Sequence, residues 1–237
     1  MREKKTVVIT GASGGIGAAT VQRFVSHNFN VVATSRHVSQ QMAPSDTLIL
    51  IDGDITQSQT ADKAVEAAIG NFGVIDVLVN NAGVFLTKPF IEFTCEDFNA
   101  LISTNLMGFF HITQRAVKEM LRNQNAGCVV TITAALADRP IAGVNGSLSM
   151  ITKGGLNAAT RNLAVEYANQ GIRFNAVAPG VVDTQLHRNE SNASSSQAIM
   201  KKATVKQIVD AVLYLACAEH VNGEVLHVDN AAPARRW

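Results

Sequence analysis

Residues 6–17 read Thr-Val-Val-Ile-Thr-Gly-Ala-Ser-Gly-Gly-Ile-Gly, and this stretch decides the fold. An apolar, β-branched run ends at Thr10, four glycines follow at positions 11, 14, 15 and 17, and a helical pattern opens at Ile16. A strand, a glycine-rich turn and a helix in that order predict a phosphate site, because the free N–H groups and positive dipole end of the helix face the turn. Five residues of this turn are therefore expected to bind the pyrophosphate of a dinucleotide: Gly11, Ser13, Gly15, Ile16 and Gly17.

Short apolar runs alternate with amphipathic stretches along the rest of the chain. Seven runs are β-branched-rich and apolar on both faces, which is typical of buried parallel strands: Thr6–Thr10, Val31–Thr34, Leu48–Ile51, Val77–Asn80, Val129–Thr133, Arg173–Val177 and Val225–Val228. Helical patterns occupy Ile16–His27, Thr60–Phe72, Cys95–Asn123, Met150–Asn169 and Val205–Ala218. The alternation predicts an α/β fold, a doubly wound Rossmann-type sheet of about seven parallel strands with helices on both faces. Composition does not change along the chain, so residues 1–237 are expected to form a single domain with a short substrate loop near residues 185–204.

The second predicted strand ends in Thr34-Ser35-Arg36, without a carboxylate. An acidic residue about 20 positions after the glycine turn would bind the ribose 2′-hydroxyl of NAD, whereas an arginine there accommodates a 2′-phosphate. Ser35 can donate a hydrogen bond to that phosphate, and Arg36 can pair with it and stack on adenine. These residues favour NADP(H) as the cofactor; the alternative is a surface arginine without a partner.

Composition narrows the classes of function. The formal net charge is +1 and no apolar run reaches membrane-spanning length, so neither nucleic acid nor membrane is expected as a partner. The three cysteines lie far apart without metal-ligand spacing, and no metal is expected. The first residues, Met-Arg-Glu-Lys-Lys, lack the apolar region of a signal peptide, so we expect a cytoplasmic protein.

Further segments resemble the short-chain dehydrogenase/reductase family, and the resemblance covers nearly the whole chain. Asn80-Asn81-Ala82-Gly83 ends the fourth predicted strand as in the family, and residues 172–180 resemble the family's sixth strand with its turn. The resemblance implies that residues after three strands also contact the cofactor: Asp54 and Ile55 at adenine, then Asn81, Ala82 and Gly83, then Pro179, Gly180, Val182 and Thr184, the last at the nicotinamide amide.

The family's chemistry resides in a serine, a tyrosine and a lysine, the last two spaced Tyr-x-x-x-Lys, and this chain departs from that pattern. Lys153 matches the lysine and also binds cofactor ribose in the family, but Ser149 stands four residues before it. Ala134 falls where the family's serine usually ends the fifth strand. The chain has two tyrosines, Tyr167 and Tyr214, and both are interpreted as packing residues.

Without a phenol beside the lysine, the proton needs another route. An aliphatic hydroxyl is a far weaker acid than a tyrosine whose pKa an ammonium has lowered. The alternative donors are a bridging water, Lys153 itself or the loop residue His187, and Thr133 can supply the lost hydroxyl. Asn105 resembles the family's asparagine that holds a catalytic water. The expected catalytic residues are Asn105, Thr133, Ser149 and Lys153.

Three functions stay open at this point. An NADPH-dependent reductase of a small, mostly uncharged carbonyl, imine or enone, with an atypical proton donor, is favoured because residues 179–184 match the family's nicotinamide segment. An NADP(H)-binding module or sensor without turnover is the alternative, and a non-redox lyase or isomerase is the third. The small-molecule substrate is expected between residues 85–90, 136–145 and 185–197. Asp138 and Arg139 are expected to form an exposed, salt-linked turn.

The two longest predicted helices carry apolar residues on more than one face, which indicates a second packing partner. The family usually forms tetramers through this pair of helices. We therefore expect a homotetramer or a homodimer.

Overall fold

All seven predicted strands are present in the computed structural model, which describes residues 4–182 and 202–230. They form one sheet in the order β3-β2-β1-β4-β5-β6-β7, and every neighbouring pair is parallel. The strands are β1 (Thr6–Thr10), β2 (Asn30–Ser35), β3 (Leu48–Asp52), β4 (Val77–Asn80), β5 (Cys128–Ile132), β6 (Arg173–Pro179) and β7 (Val225–Val228). The predicted single Rossmann-type domain with a parallel seven-stranded sheet is confirmed.

Six α-helices in the described residues cover the two faces of the sheet. They are α1 (Gly15–Ser26), α2 (Ser58–Phe72), α3 (Cys95–Leu101), α4 (Gly108–Arg122), α5 (Ser147–Glu166) and α6 (Val205–Cys217). None of these helices has both the length and the apolar character that a membrane span requires. The described residues do not include Thr184, His187 or the rest of residues 185–197, for which the sequence predicted cofactor and substrate contacts.

Burial on both faces explains why the strands are apolar without alternation. Val7 and Ile9 of β1 point to one face and pack in a core with Phe24 of α1. Val8 points to the other face, into a second core that includes Ile112 of α4. Because successive strand residues face opposite sides, a strand covered by helices on both sides must be apolar at every position.

The crossover from β2 to β3 contains only a 3-10 turn, Val38–Gln40, in agreement with the absence of a predicted helix there. One connection differs from the periodicity of the sequence. The predicted helix Cys95–Asn123 contains a π-helical segment, Ile102–Met107, between α3 and α4. Such a segment is a tertiary adjustment around individual side chains, so an apolar period of 3.6 residues does not reveal it.

The parallel arrangement places the carboxyl ends of all strands at one edge of the sheet. The strand order reverses between β1 and β4, because the chain first builds outward to β3 and then continues on the other side. A crevice at such a reversal, outside the carboxyl ends of the strands, is the usual ligand site of open α/β sheets.

Candidate active site

A cavity of about 800 Å³ occupies this crevice, which is within the size range of small-molecule and cofactor sites. Loops that follow all seven strands contribute to its walls. It brings together most of the residues expected from the sequence: Gly11, Ser13, Gly15, Ile16, Ser35, Arg36, Asp54, Ile55, Asn81, Ala82, Gly83, Thr133, Lys153, Pro179, Gly180 and Val182. Three others do not line it, namely Gly17, Asn105 and Ser149.

The glycine turn is held by contacts too close for larger residues. Gly11 has a left-handed backbone (φ 64°), and a Cβ there would lie 2.8 Å from the Cα of Ala82. A Cβ on Gly17 would lie 2.1 Å from the Gly11 carbonyl oxygen. The Asn81 carboxamide donates hydrogen bonds to the carbonyl oxygens of Thr10 and Gly11, both at 3.0 Å. Gly17 therefore packs against the backbone of the turn and does not line the cavity, whereas Gly11 does.

The amino terminus of α1 is open toward the cavity. Its N-cap residue, Gly14, has no side chain to accept the first N–H groups, and the first turn of α1 contains no acidic residue. Among the described residues, no atom other than those of its two chain neighbours lies within 4 Å of the position that a Gly14 Cβ would take. The unsatisfied N–H groups and the helix dipole favour an anion at this end, so the turn fits a pyrophosphate.

The end of β2 presents two groups without partners. The hydroxyl of Ser35 is buried and makes no hydrogen bond within the described residues. Arg36 is exposed on the cavity wall and has no ion pair in the part of the chain that the structure describes. The carboxylate of Asp52, the register partner of Ser35 on β3, accepts hydrogen bonds from the Ser39 hydroxyl and N–H, and these bonds lower the pKa of Asp52. Ser35 and Arg36 are thus available to an anionic ligand.

Lys153 brings an ammonium group to the cavity from α5. Lys153 is buried, with 8% of its surface exposed, and Nζ donates a hydrogen bond to the Ile132 carbonyl oxygen at 2.8 Å. Burial lowers the pKa of Lys153 from 10.5 to about 8, because the charged form loses hydration. A Cβ on Gly83 would lie 3.1 Å from Nζ, so the glycine leaves room for this approach.

Ser149 lies behind the cavity wall. It is fully buried, its hydroxyl donates to the Leu86 carbonyl oxygen at 2.9 Å, and it accepts from the Leu86 N–H at 2.9 Å. A further backbone bond joins the Lys88 N–H to the Asn145 carbonyl oxygen at 2.9 Å. The first turn of α5 and the segment after β4 are therefore tied together, and the Ser149 hydroxyl serves that link.

Asn105 and Thr133, the other two expected catalytic residues, are bound to the backbone of neighbouring segments. The Asn105 carboxamide donates to the Val84 carbonyl oxygen at 3.0 Å and accepts from the Val84 N–H at 2.8 Å. It also donates to the Thr152 hydroxyl at 2.9 Å, next to Lys153. The Thr133 hydroxyl donates to the Val177 carbonyl oxygen at 3.3 Å, although Thr133 also lines the cavity.

Neither tyrosine of the chain lines the cavity. The ring of Tyr167 packs against Phe174, with 5.8 Å between the ring centroids, and Tyr214 is exposed on α6. The described walls of the cavity therefore contain no phenol. They also contain no metal site, since no group of three or more His, Cys, Asp or Glu side chains in the described residues could hold a metal ion.

The end of the cavity beyond Lys153 is mainly apolar, with walls from Phe85, Leu136, Ile141 and Val144. Arg139 and Asp229 also line this end and form an ion pair, NH1 to Oδ2, at 3.0 Å. The turn expected at Asp138 and Arg139 is exposed, but its ionic partners are distant in sequence and Arg139 also lines the cavity. Arg139 pairs with Asp229, whose side chain is 5% exposed, and the Asp138 carboxylate lies 3.2 Å from Nε2 of His227. Sequence reasoning did not assign Asp229 to the site; its place directly after β7, at the carboxyl edge of the sheet, is the signal that points to it.

Comparisons with known proteins agree with this geometry. Residues 5–195 match the family described as short chain dehydrogenase. The chain belongs to this family. It is 30% identical to 3beta-hydroxysteroid dehydrogenase 1 of Eggerthella lenta over 244 residues, which cover 95% of this chain and 92% of that protein.

Two solved structures of the family are also similar. The structure of ElxO with NADP bound has a TM-score of 0.87 and 28% identity, with 98% of this chain and 99% of that chain covered. The 3-ketoacyl-(acyl-carrier-protein) reductase of Brucella melitensis complexed with NADH has a TM-score of 0.89 and 26% identity, with 97% and 98% covered. The protein is thus an oxidoreductase of the short-chain dehydrogenase type, a family that acts on small molecules.

Proposed function

We propose that this short-chain dehydrogenase is an NADPH-dependent reductase of a small, mostly uncharged carbonyl, imine or enone, and that its proton donor is atypical. One observation carries the proposal: the buried Lys153 ammonium lies in the same cavity as the glycine turn. Reduction needs a bound dinucleotide and a proton source within one enclosed space. The glycine turn and Lys153, which both line the described cavity, support these two roles.

The preference for NADPH rests on Ser35 and Arg36. A 2′-phosphate would satisfy the buried Ser35 hydroxyl, which makes no hydrogen bond within the described residues, and would pair with the exposed Arg36 guanidinium. When bound, NADPH supplies the two reducing electrons. The similar structures hold NADP in one case and NADH in the other, so they support a nicotinamide cofactor, while the end of β2 supports the phosphorylated form.

The active site is proposed to lack the family's serine and tyrosine, which Ala134 and Ser149 replace. The Ser149 hydroxyl donates one hydrogen bond to Leu86 and accepts one from it. The Thr133 hydroxyl donates to the Val177 carbonyl oxygen. Neither hydroxyl is placed to pass a proton to the cavity. We propose Asn105 as a positioning residue, because it joins the loop after β4 to Thr152, the neighbour of Lys153.

Lys153 is proposed as the proton donor. An ammonium has three N–H donors, and one of them is engaged by the Ile132 carbonyl oxygen. A remaining N–H can donate to a substrate oxygen or nitrogen, and a donor with a pKa of about 8 is close to physiological pH, where a general acid is most effective. An activated substrate such as an enone or iminium suits this donor, since it requires less acid assistance than a simple ketone.

The test measures NADPH oxidation with a panel of ketones, quinones, imines and enones. Wild-type protein is expected to turn over at least one class, and Lys153→Ala to lose about 100-fold or more of kcat, which is the contribution of a general acid. Because the lysine also binds ribose in the family, NADPH affinity is measured for both proteins. Turnover that survives in Lys153→Ala with unchanged NADPH affinity contradicts the proposed donor.

The missing phenol and the inward-turned Ser149 hydroxyl favour a second candidate, an NADP(H)-binding module or sensor without turnover. The same experiment separates the two candidates. Tight NADPH binding without oxidation by any member of the panel supports the module and overturns the reductase.

We also propose that the protein forms a homotetramer or homodimer in the cytoplasm. Apolar side chains are exposed on α5 and at the start of α4, including Met107, Phe110 and Ile151. An uncovered apolar face of this kind indicates a packing partner. Light scattering coupled to size-exclusion chromatography is expected to give a multiple of the chain mass, and Phe110→Glu is expected to reduce it; a monomeric wild type contradicts the proposal.

A further inference from the structure

The apolar end of the cavity contains positive charge that the proposed reaction does not use. Arg139 lines this end and its side chain is 43% exposed. Lys202 also lines the cavity, is exposed, and has no ion pair in residues 4–182 and 202–230. In the described lining of the whole cavity, four cationic residues (Arg36, Arg139, Lys153 and Lys202) face two acidic ones (Asp54 and Asp229). Cations therefore exceed anions there, although the formal net charge of the whole chain is only +1.

Arg139 is held in a position to receive a ligand. Its NH1 group donates to Asp229 at 3.0 Å, which leaves donors of the guanidinium for another acceptor. The Asp229 carboxylate is almost completely buried, whereas the guanidinium is nearly half exposed. Both residues line the cavity, but the guanidinium is much the more accessible of the two charged groups to a molecule bound there. A fixed guanidinium matches the planar geometry of a carboxylate and needs little reordering on binding.

We infer that the substrate is an apolar molecule that carries one carboxylate, which Arg139 binds at the end of the cavity away from the glycine turn. This inference rests on the proposed reductase function and revises its substrate class, from a mostly uncharged molecule to one with an apolar body and a single negative charge. The apolar walls from Phe85, Leu136, Ile141 and Val144 suit the body of such a molecule. A single carboxylate is favoured over a phosphate because Asp229 already neutralises part of the Arg139 charge.

The test compares acids with their esters by calorimetry on the NADP-bound protein. The probes are aryl keto acids of increasing chain length, each paired with its uncharged methyl ester. At least one acid is expected to bind about tenfold more tightly than its ester, which corresponds to one charge-assisted hydrogen bond. Equal affinity for acid and ester throughout the series, or binding of neither, overturns the inference.

Three variants test whether Arg139 causes the preference for acids. Arg139→Gln is expected to abolish the preference for acids and leave ester affinity unchanged, whereas Arg122→Gln, at the exposed end of α4 and outside the cavity, is expected to preserve it. Asp229→Asn removes the competing carboxylate and is expected to tighten acid binding, which a merely structural role for the ion pair would not do. Thermal unfolding identifies a variant that fails to fold, and a preference that survives in folded Arg139→Gln overturns the inference.

The binding measurement also distinguishes this inference from the proposed function. If the protein binds acids preferentially through Arg139 but oxidises no NADPH, the reductase proposal fails and the carboxylate site stands. If neutral ketones and esters are reduced as efficiently as the acids, and Arg139→Gln changes the rate of none of them, the reductase proposal stands and the carboxylate site fails.

Discussion

Gly17→Ala tests the packing that supports the glycine turn. The added methyl group would lie 2.1 Å from the Gly11 carbonyl oxygen and 2.6 Å from Nδ2 of Asn81. Ordinary contact is about 3.5 Å, so the carbonyl would have to move by more than an ångström. Because one neighbour is backbone and the other already donates to Thr10 and Gly11, neither can swing aside without loss of hydrogen bonds.

The expected loss combines three contributions. Overpacking and the disturbed hydrogen bonds cost about 3–5 kcal/mol together, and the better helix propensity of alanine returns about 1 kcal/mol. The free energy of unfolding is therefore expected to fall by about 2–4 kcal/mol. Urea denaturation followed by far-UV circular dichroism measures this change at a single protein concentration, so that any oligomer is held constant.

Gly14→Ala is the matched control. A Cβ at Gly14 has no described atom within 4 Å apart from those of its two chain neighbours, and its extended backbone (φ −165°) accepts alanine. Its expected stability loss is below about 1 kcal/mol, the scale of a changed N-cap residue. Because Gly14 lines the cavity, the same methyl group is expected to weaken NADPH binding in calorimetry. A Gly17→Ala protein as stable as the wild type, or a Gly14→Ala protein that is the less stable of the two, would refute this account of the turn.

Three further predictions concern single residues. Arg36→Glu is expected to weaken NADPH binding by about 10- to 100-fold with little change for NADH, since one charge-assisted pair is lost; equal losses for both cofactors in calorimetry contradict it. The reduction rate is expected to be constant below about pH 8 and to fall above it, because Lys153 loses its proton there. In Lys153→Arg the remaining rate is expected not to fall above pH 8, because arginine stays protonated. An unchanged pH profile argues against Lys153 as donor. Asn105→Ala is expected to destabilise the fold by about 2–4 kcal/mol in urea denaturation, because it empties a buried site and leaves the N–H and C=O of the half-buried Val84 without their partner. Asn123→Ala, at the exposed end of α4, is expected to change stability by less than about 0.5 kcal/mol, and equal effects of the two substitutions contradict the prediction.

The sheet, its parallel direction and the position of the glycine turn can all be predicted from the amino-acid sequence. Strands covered on both faces must be apolar at every position, and a turn that places backbone against backbone requires glycine, so both requirements appear as local patterns. The same holds for the end of β2, where the absence of a carboxylate beside Arg36 is visible in the sequence alone. The family follows from these segments because they occur in order along nearly the whole chain.

The directions in which individual hydroxyl and charged groups point follow from tertiary packing and cannot be read from the sequence. The spacing Ser-x-x-x-Lys does not show that the Ser149 hydroxyl turns to Leu86 while the Lys153 ammonium enters the cavity. The ion pair of Arg139 and Asp229 joins residues 90 positions apart, across strands β5 and β7 that are not neighbours in the sheet. Such contacts depend on how loops from separate strands meet at one edge of the sheet. A hydrogen bond between residues so far apart in the sequence leaves no periodic pattern that would predict it.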